Sequence, residues 1–173
     1  NVRKKLELFK KTGSFKSRGA LLALSNLTKS QKEKGVIAVS AGNHALAVSW
    51  AAMCAKTNAK VVMLESSDPV RIDGCRNFGA EVILSPDVGN AFSLVEEIAK
   101  SEGRAILKPF DSEEMILGSA SCGLEIIEDF PELEVAIVPV GGGGLISGIA
   151  AAIKRSNPST VIYGIEPEGA DSM

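Results

Sequence analysis

The chain of 173 residues holds three short segments whose residue types suit chemistry. The first is the run Gly141-Gly142-Gly143-Gly144, which follows an apolar stretch from Val135 to Val140 and leads into a helical pattern starting at Leu145. Glycines let successive backbone N–H groups converge on one anion, and the helix N-terminus adds roughly half a positive charge. The run therefore predicts a phosphate site. A plain tight turn is the weaker reading, because each glycine loses more backbone entropy on folding than another residue would. The spacing does not fit Gly-x-Gly-x-x-Gly, since Ile146 and Ser147 fall where the last glycine belongs, and no Gly-Lys-Ser/Thr follows for a nucleoside triphosphate. Glu166, at the end of the next apolar run, stands near the distance of roughly 20 residues expected of a ribose-binding acid, which keeps a dinucleotide open.

The second segment is Thr12-Gly13-Ser14-Phe15-Lys16-Ser17-Arg18-Gly19-Ala20. It places Lys16 in the first turn of a predicted helix, where the positive end of the dipole lowers an amine's pKa, as a Schiff-base lysine requires. The third is Ser40-Ala41-Gly42-Asn43-His44, between an apolar run and an Ala-rich helical stretch, with backbone donors suited to a carboxylate. Taken singly, Lys16 reads as a solvated surface residue and the Ser40 loop as an ordinary helix cap. His44 is the only histidine, so a multi-histidine metal site is not available within this chain.

The elements that position these segments alternate. Unbroken β-branched and aliphatic runs at residues 36–39, 61–64, 82–84, 105–107, 135–138 and 161–165 predict parallel strands buried on both faces. Between them lie predicted helices. One is capped by Ser14 and runs to about Thr28; the next runs from Asn43 to near Lys56; a third starts at Asp68-Pro69 and stops at Gly79. Three more follow: Asn90 to Gly103, a helix to Phe130 capped by Asp111 with Glu114, and Leu145 to Ser156, ended by Pro158. This rhythm defines an α/β chain.

Composition narrows the function classes. Apolar residues make up 45% of the chain, enough for one good core or two small ones. A formal net charge of −2 provides no field to concentrate polyanions, so nucleic acid is not an expected partner. No apolar run approaches the roughly 20 residues of a membrane helix. Cys54, Cys75 and Cys122 lie in apolar segments without Cys-x-x-Cys spacing, which predicts buried thiols in a reducing compartment, the cytoplasm by default.

In order along the chain, four stretches resemble the fold-type II family of pyridoxal-phosphate enzymes: Lys10-Lys11-Thr12-Gly13-Ser14-Phe15-Lys16-Ser17-Arg18-Gly19-Ala20, Ser40-Ala41-Gly42-Asn43-His44-Ala45, Phe78-Gly79-Ala80-Glu81-Val82 and Val138-Pro139-Val140-Gly141-Gly142-Gly143-Gly144-Leu145. The likeness is greatest to threonine and serine dehydratases and serine racemase, and it covers the whole chain. It implies an incomplete part of a three-layer α/β/α, tryptophan synthase β-like fold. Residues 1–34 and 110–173 would belong to a large cofactor-binding domain, with a small domain, 35–109, inserted in it. It further implies that Lys16 forms the Schiff base with pyridoxal 5'-phosphate, Phe15 packs on the cofactor ring and Asn43 bonds its 3'-oxygen. Gly141, Gly142, Gly143, Gly144 and the Leu145 amide would hold the phosphate, and Ser40, Ala41, Gly42, Asn43 and His44 the substrate carboxylate. The implied reaction removes water and then ammonia from L-threonine and/or L-serine through an aminoacrylate, in a homo-oligomer when full length, with a small amino acid as substrate.

Departures from the family pattern refine these expectations. Ala41 stands where racemases of the family have a serine for the opposite face of Cα, which favours one-sided chemistry over racemisation. Gly118-Ser119-Ala120-Ser121 replaces the usual Gly-Gln-Gly-Thr and unsettles substrate placement there, while Leu46 and Trp50 are also unusual. Glu166 and the Ala170 carbonyl match part of a divalent-cation segment suited to Mg²⁺ or Ca²⁺, but Ser172 stands where the second acid would be. Racemisation, β-replacement on the same cofactor, and a non-catalytic amino-acid or nucleotide-binding module are the rival readings.

Overall fold

The computed structural model describes residues 1–171. Helix α1 (Lys16–Asn26) begins with Phe15 as its N-cap and no side-chain cap. Ser14 does not perform the capping expected of it; its hydroxyl is buried without a protein partner. α1 also stops before Thr28, because Thr28 starts a helix of its own. In α2 (Lys29–Lys34) the Thr28 hydroxyl accepts from the Gln31 amide while the Gln31 side chain accepts from the Thr28 amide. That reciprocal pair satisfies two end groups at once, which outweighs continuation of α1.

Strand β1 (Val36–Val39), α3 (Asn43–Cys54), β2 (Ala59–Leu64), α4 (Pro69–Asn77), β3 (Glu81–Ser85), α5 (Val88–Glu102) and β4 (Ala105–Ile106) follow in alternation. Asp68 caps α4 with proline at the first turn, as its sequence predicts. α5 starts two residues before Asn90, because Asp87 accepts the Asn90 amide at 2.8 Å. The four strands form one parallel sheet in the order β3-β2-β1-β4. Val36, Ala38, Val61 and Met63 face α1, α3 and α4, whereas Ile37 and Val62 face Ala91, Val95 and Ala99 of α5. Both faces are covered, which explains the unbroken apolar sequence of β1 and β2.

The remainder comprises α6 (Glu113–Asp129), β5 (Val135–Pro139), α7 (Gly144–Ser156) and β6 (Val161–Ile165). Ser112, rather than Asp111, caps α6 by accepting the Met115 amide at 3.3 Å. β5 and β6 pair in parallel as a separate two-stranded sheet. Ala136 and Val138 pack on Ile149 and Ile153, but Val135, Ile137, Val161, Tyr163 and Ile165 project from the other side and are exposed. The parallel α/β class is as the sequence predicts, with two sheets among the described residues. No helix among them is long and apolar enough to cross a membrane. Cys75 and Cys122 are buried, and burial pushes the Cys122 thiol up to about 11; Cys54, expected to be buried, is exposed at the end of α3.

Helix stacking ties the parts together. Added to Gly118, a methyl group would lie 2.5 Å from Gly19 Cα, so α6 and α1 meet backbone to backbone. One added to Gly148 would press on Ile116 O and lie 2.6 Å from Ala120 N, so α7 meets α6 in the same way. Gly148→Ala sets two effects against each other: a helix-propensity gain of about 1 kcal/mol and an overpacking penalty of about 1–3 kcal/mol. The obstructing atoms are backbone and yield little, so we expect a net loss of about 1–2 kcal/mol, read as a lower urea midpoint at unchanged m-value.

Candidate active site

Three loops converge here, and each follows the carboxyl end of a parallel strand, where α/β proteins place their ligands. After β1 come Ser40 to Asn43, after β4 residues 107–110, and after β5 the glycine run.

Lys16 occupies the first turn of α1. Its amine donates to the Pro109 carbonyl and stands 5.1 Å from the centre of the Phe15 ring. Burial depresses its pKa. The direction matches the sequence expectation, but desolvation rather than the helix dipole is the cause. Immediately before Lys16, Thr12 Oγ1 and Ser14 Oγ are buried without a protein hydrogen-bond partner, which leaves them available to a polar ligand.

In the loop after β1, the Ser40 amide donates to Val62 O at 3.1 Å and the Ser40 hydroxyl accepts the Gly42 amide at 3.1 Å. α3 begins at Asn43 without a side-chain cap or an acid in its first turn, so its leading amides keep their capacity for an anion. Ala41 and Asn43 are exposed, while Gly42 and His44 are buried. The His44 ring is only 2% exposed and its Nε2–H donates to Leu107 O at 2.9 Å. Burial lowers its pKa to about 4, with the nearby Lys16 charge acting in the same direction. A neutral ring committed to Leu107 has no spare donor, so His44 offers the loop its backbone amide and no side-chain donor.

At the glycine run, Gly143 adopts φ 78° as the N-cap of α7, a conformation that favours glycine. Open space surrounds the position a Gly141 side chain would take. Any side chain at Gly142 would run into the Phe110 ring, and one at Gly144 would come within 2.8 Å of Phe110 O.

Residues 107–110 thus touch all three segments: Leu107 O holds His44, Pro109 O holds Lys16, and Phe110 lies on the glycines. Sequence reasoning missed this strap. The available signal was Lys108-Pro109-Phe110 directly after a predicted parallel strand.

Gly118-Ser119-Ala120-Ser121 supports the lysine's helix instead of facing a ligand. Ser119 is buried and bonds Met115 O, and Ser121 accepts from Arg18 Nη1 at 2.8 Å. Arg18 in turn binds Glu7 and Glu125, with only 9% of its side chain exposed. Glu166 is half-buried and Ala170 exposed, and no group of three or more His, Cys, Asp or Glu side chains suited to a metal occurs among the described residues. Ser172 lies outside those residues.

An uncapped glycine cradle at a helix N-terminus, a desolvated lysine and buried unpaired hydroxyls fit a phosphorylated aldehyde cofactor. The chain belongs to the pyridoxal-phosphate dependent enzyme family, whose profile matches residues 1–173. It is 45% identical over 169 residues to the phenylserine dehydratase of Ralstonia pickettii, covering 98% of this chain and 52% of that one. Among solved structures it resembles the processed form of threonine deaminase isoform 2 from Solanum lycopersicum, with a TM-score of 0.93 at 38% identity over 97% of this chain and 49% of that one. Maize serine racemase superposes with a TM-score of 0.94 at 36% identity over 96% of this chain and 51% of that one. The chain spans about half the length of each.

Proposed function

We propose that the protein containing this chain deaminates a β-hydroxy amino acid, L-threonine and/or L-serine, to a 2-oxo acid and ammonia. The carrying observation is that one strap binds the lysine, the Ser40–His44 loop and the glycine run into a single site. Likeness to a phenylserine dehydratase and a threonine deaminase supports the substrate class.

In this reading Gly141, Gly142, Gly143, Gly144 and the Leu145 amide hold the phosphate, Phe15 flanks the ring and Asn43 bonds its oxygen. Pyridoxal phosphate supplies an electron sink for the pair left when Cα loses its proton. Lys16, desolvated and therefore more readily neutral, accepts that proton. The amides from Ser40 to His44 hold the carboxylate and fix which Cα bond faces Lys16. Ala41 has no transferable proton, so Cα is served from one face and β-hydroxyl loss is preferred to racemisation. We place the moving unit at residues 35–109, carried by the four-stranded sheet, with closure over the substrate excluding water. A divalent cation at Glu166 and Ala170 is an accessory in this reading, since two oxygens fall short of the six to eight that Ca²⁺ takes.

Product analysis of the full-length, cofactor-loaded protein tests it. A 2-oxo acid and ammonia from L-threonine, L-serine or phenylserine is the expected outcome. D-serine as the main product would establish the racemase reading instead, which the likeness to maize serine racemase makes the relevant rival.

A further inference from the structure

Arg71, in the first turn of α4, reaches across to the loop between β1 and α3. A methyl group placed on Gly42 would meet the Arg71 guanidinium, with Cζ at 3.2 Å, so glycine at that position leaves room for the arm. The acids of its own helix end are engaged elsewhere: Asp68 accepts the Val70 amide at 2.9 Å and Asp73 pairs with Arg76 at 3.2 Å. Arg71 itself makes no ion pair among the described residues. It therefore sets a full positive charge over the start of α3, which has neither an acid nor a side-chain cap to offset it. Two positive ends in contact repel unless an anion lies between them.

We propose that Arg71 binds the α-carboxylate of the amino-acid substrate, adding a charged side-chain donor to the backbone donors from Ser40 to His44. The inference rests on the reading of that loop as the carboxylate site. A guanidinium suits the task because its planar fork matches a carboxylate, and α4 belongs to a different helix from the loop it meets. The contact thus forms between two elements of the four-stranded unit, both of which travel together in any closure.

The test uses full-length, cofactor-loaded protein with Arg71→Ala, Arg71→Gln and Arg71→Lys. Loss of one charged hydrogen-bonding partner predicts a KM for L-serine or L-threonine raised about 10–100-fold, with kcat within about threefold. A binding readout separates this from a structural role: spectral titration with L-alanine and with L-alaninamide, which lacks the carboxylate. The wild type should prefer the acid, Arg71→Ala should lose that preference by the same factor as its KM rise, and Arg71→Lys should recover part of it. Equal weakening of acid and amide, or an unchanged KM, overturns the assignment of Arg71 alone. A wild type that forms no borohydride-reducible adduct with the cofactor overturns both this assignment and the reading of the site.

Discussion

Lys16→Ala is expected to lower kcat/KM for a β-hydroxy amino acid by at least about 10³-fold, within the range that a positioned acid–base group contributes, while leaving the fold intact. Among the described residues the amine is the only basic side chain that the strap at Pro109 and the Phe15 ring hold in place together. In the proposed reading its removal takes away both the covalent anchor for the cofactor aldehyde and the acceptor for the Cα proton. The structural cost is small, because the lost interaction is one hydrogen bond from a half-buried amine at a helix end, worth about 1 kcal/mol, and alanine is a better helix former. Circular dichroism and the thermal midpoint should therefore stay close to the wild type while borohydride no longer fixes the cofactor. An added small primary amine should restore part of the turnover. A variant that retains more than a tenth of wild-type turnover would remove Lys16 from the chemistry.

Arg18→Ala is the substitution expected to cost the most stability. Its guanidinium joins α1 to the 3₁₀ turn Glu7–Phe9 through Glu7 at 2.8 and 2.9 Å, and to α6 through Glu125 and Ser121. Removing one partner of a largely buried ion pair strands the others, and about 3 kcal/mol is the expected loss, measured by urea unfolding. Acid titration gives the same cluster a signature. Hydrogen bonds from Arg18 hold the Glu125 carboxyl down to about 2, below its unfolded value near 4.5, so its contribution is complete above about pH 4.5 and disappears as pH falls through about 2. His44 acts at higher pH. Its folded pKa of about 4 lies below the unfolded 6.5, so the unfolded chain binds more protons between those values and stability falls on acidification, by about 3 kcal/mol in all. The thermal midpoint should thus drop in two stages, from about pH 6.5 to 4 and again toward pH 2. Arg18→Ala should shrink the lower stage, part of which the Lys5–Glu125 pair retains, and keep the upper one.

The two substitutions act on one helix at positions two residues apart. Arg18 holds α1 against α6, and Gly19 lets α1 approach Gly118 there. Through Gly148, α6 packs on α7, whose N-terminus carries the glycine run. The distance between Lys16 and the glycine run is therefore set by stacked helices at small residues, where a methyl group is felt.

Much of this was legible in the linear chain. Apolar runs marked the six strands of the described residues, but burial on both faces holds for β1 and β2 and not for β5 and β6, whose outer side chains are exposed; the glycine run and Asp68-Pro69 announced helix starts through local backbone chemistry. Local rules failed where two neighbouring residues could both cap: Ser112 displaced Asp111, and Thr28 ended α1 to start α2. The glycines were identifiable by residue type, whereas Lys16 and the Ser40 loop singly read as a surface lysine and a helix cap and became legible only through the family resemblance. Their meeting was not legible, because 93 residues separate Lys16 from Pro109 and 63 separate His44 from Leu107, and no periodicity reports a contact across such a span. The same holds for Arg71, an exposed residue that α4 brings over Gly42 by packing on α3. Residue chemistry and local periodicity sufficed to write down the parts, since both act over a few residues. Packing of distant elements decided which parts share a site, what burial does to Lys16 and His44, and which side chains remain free to meet a ligand.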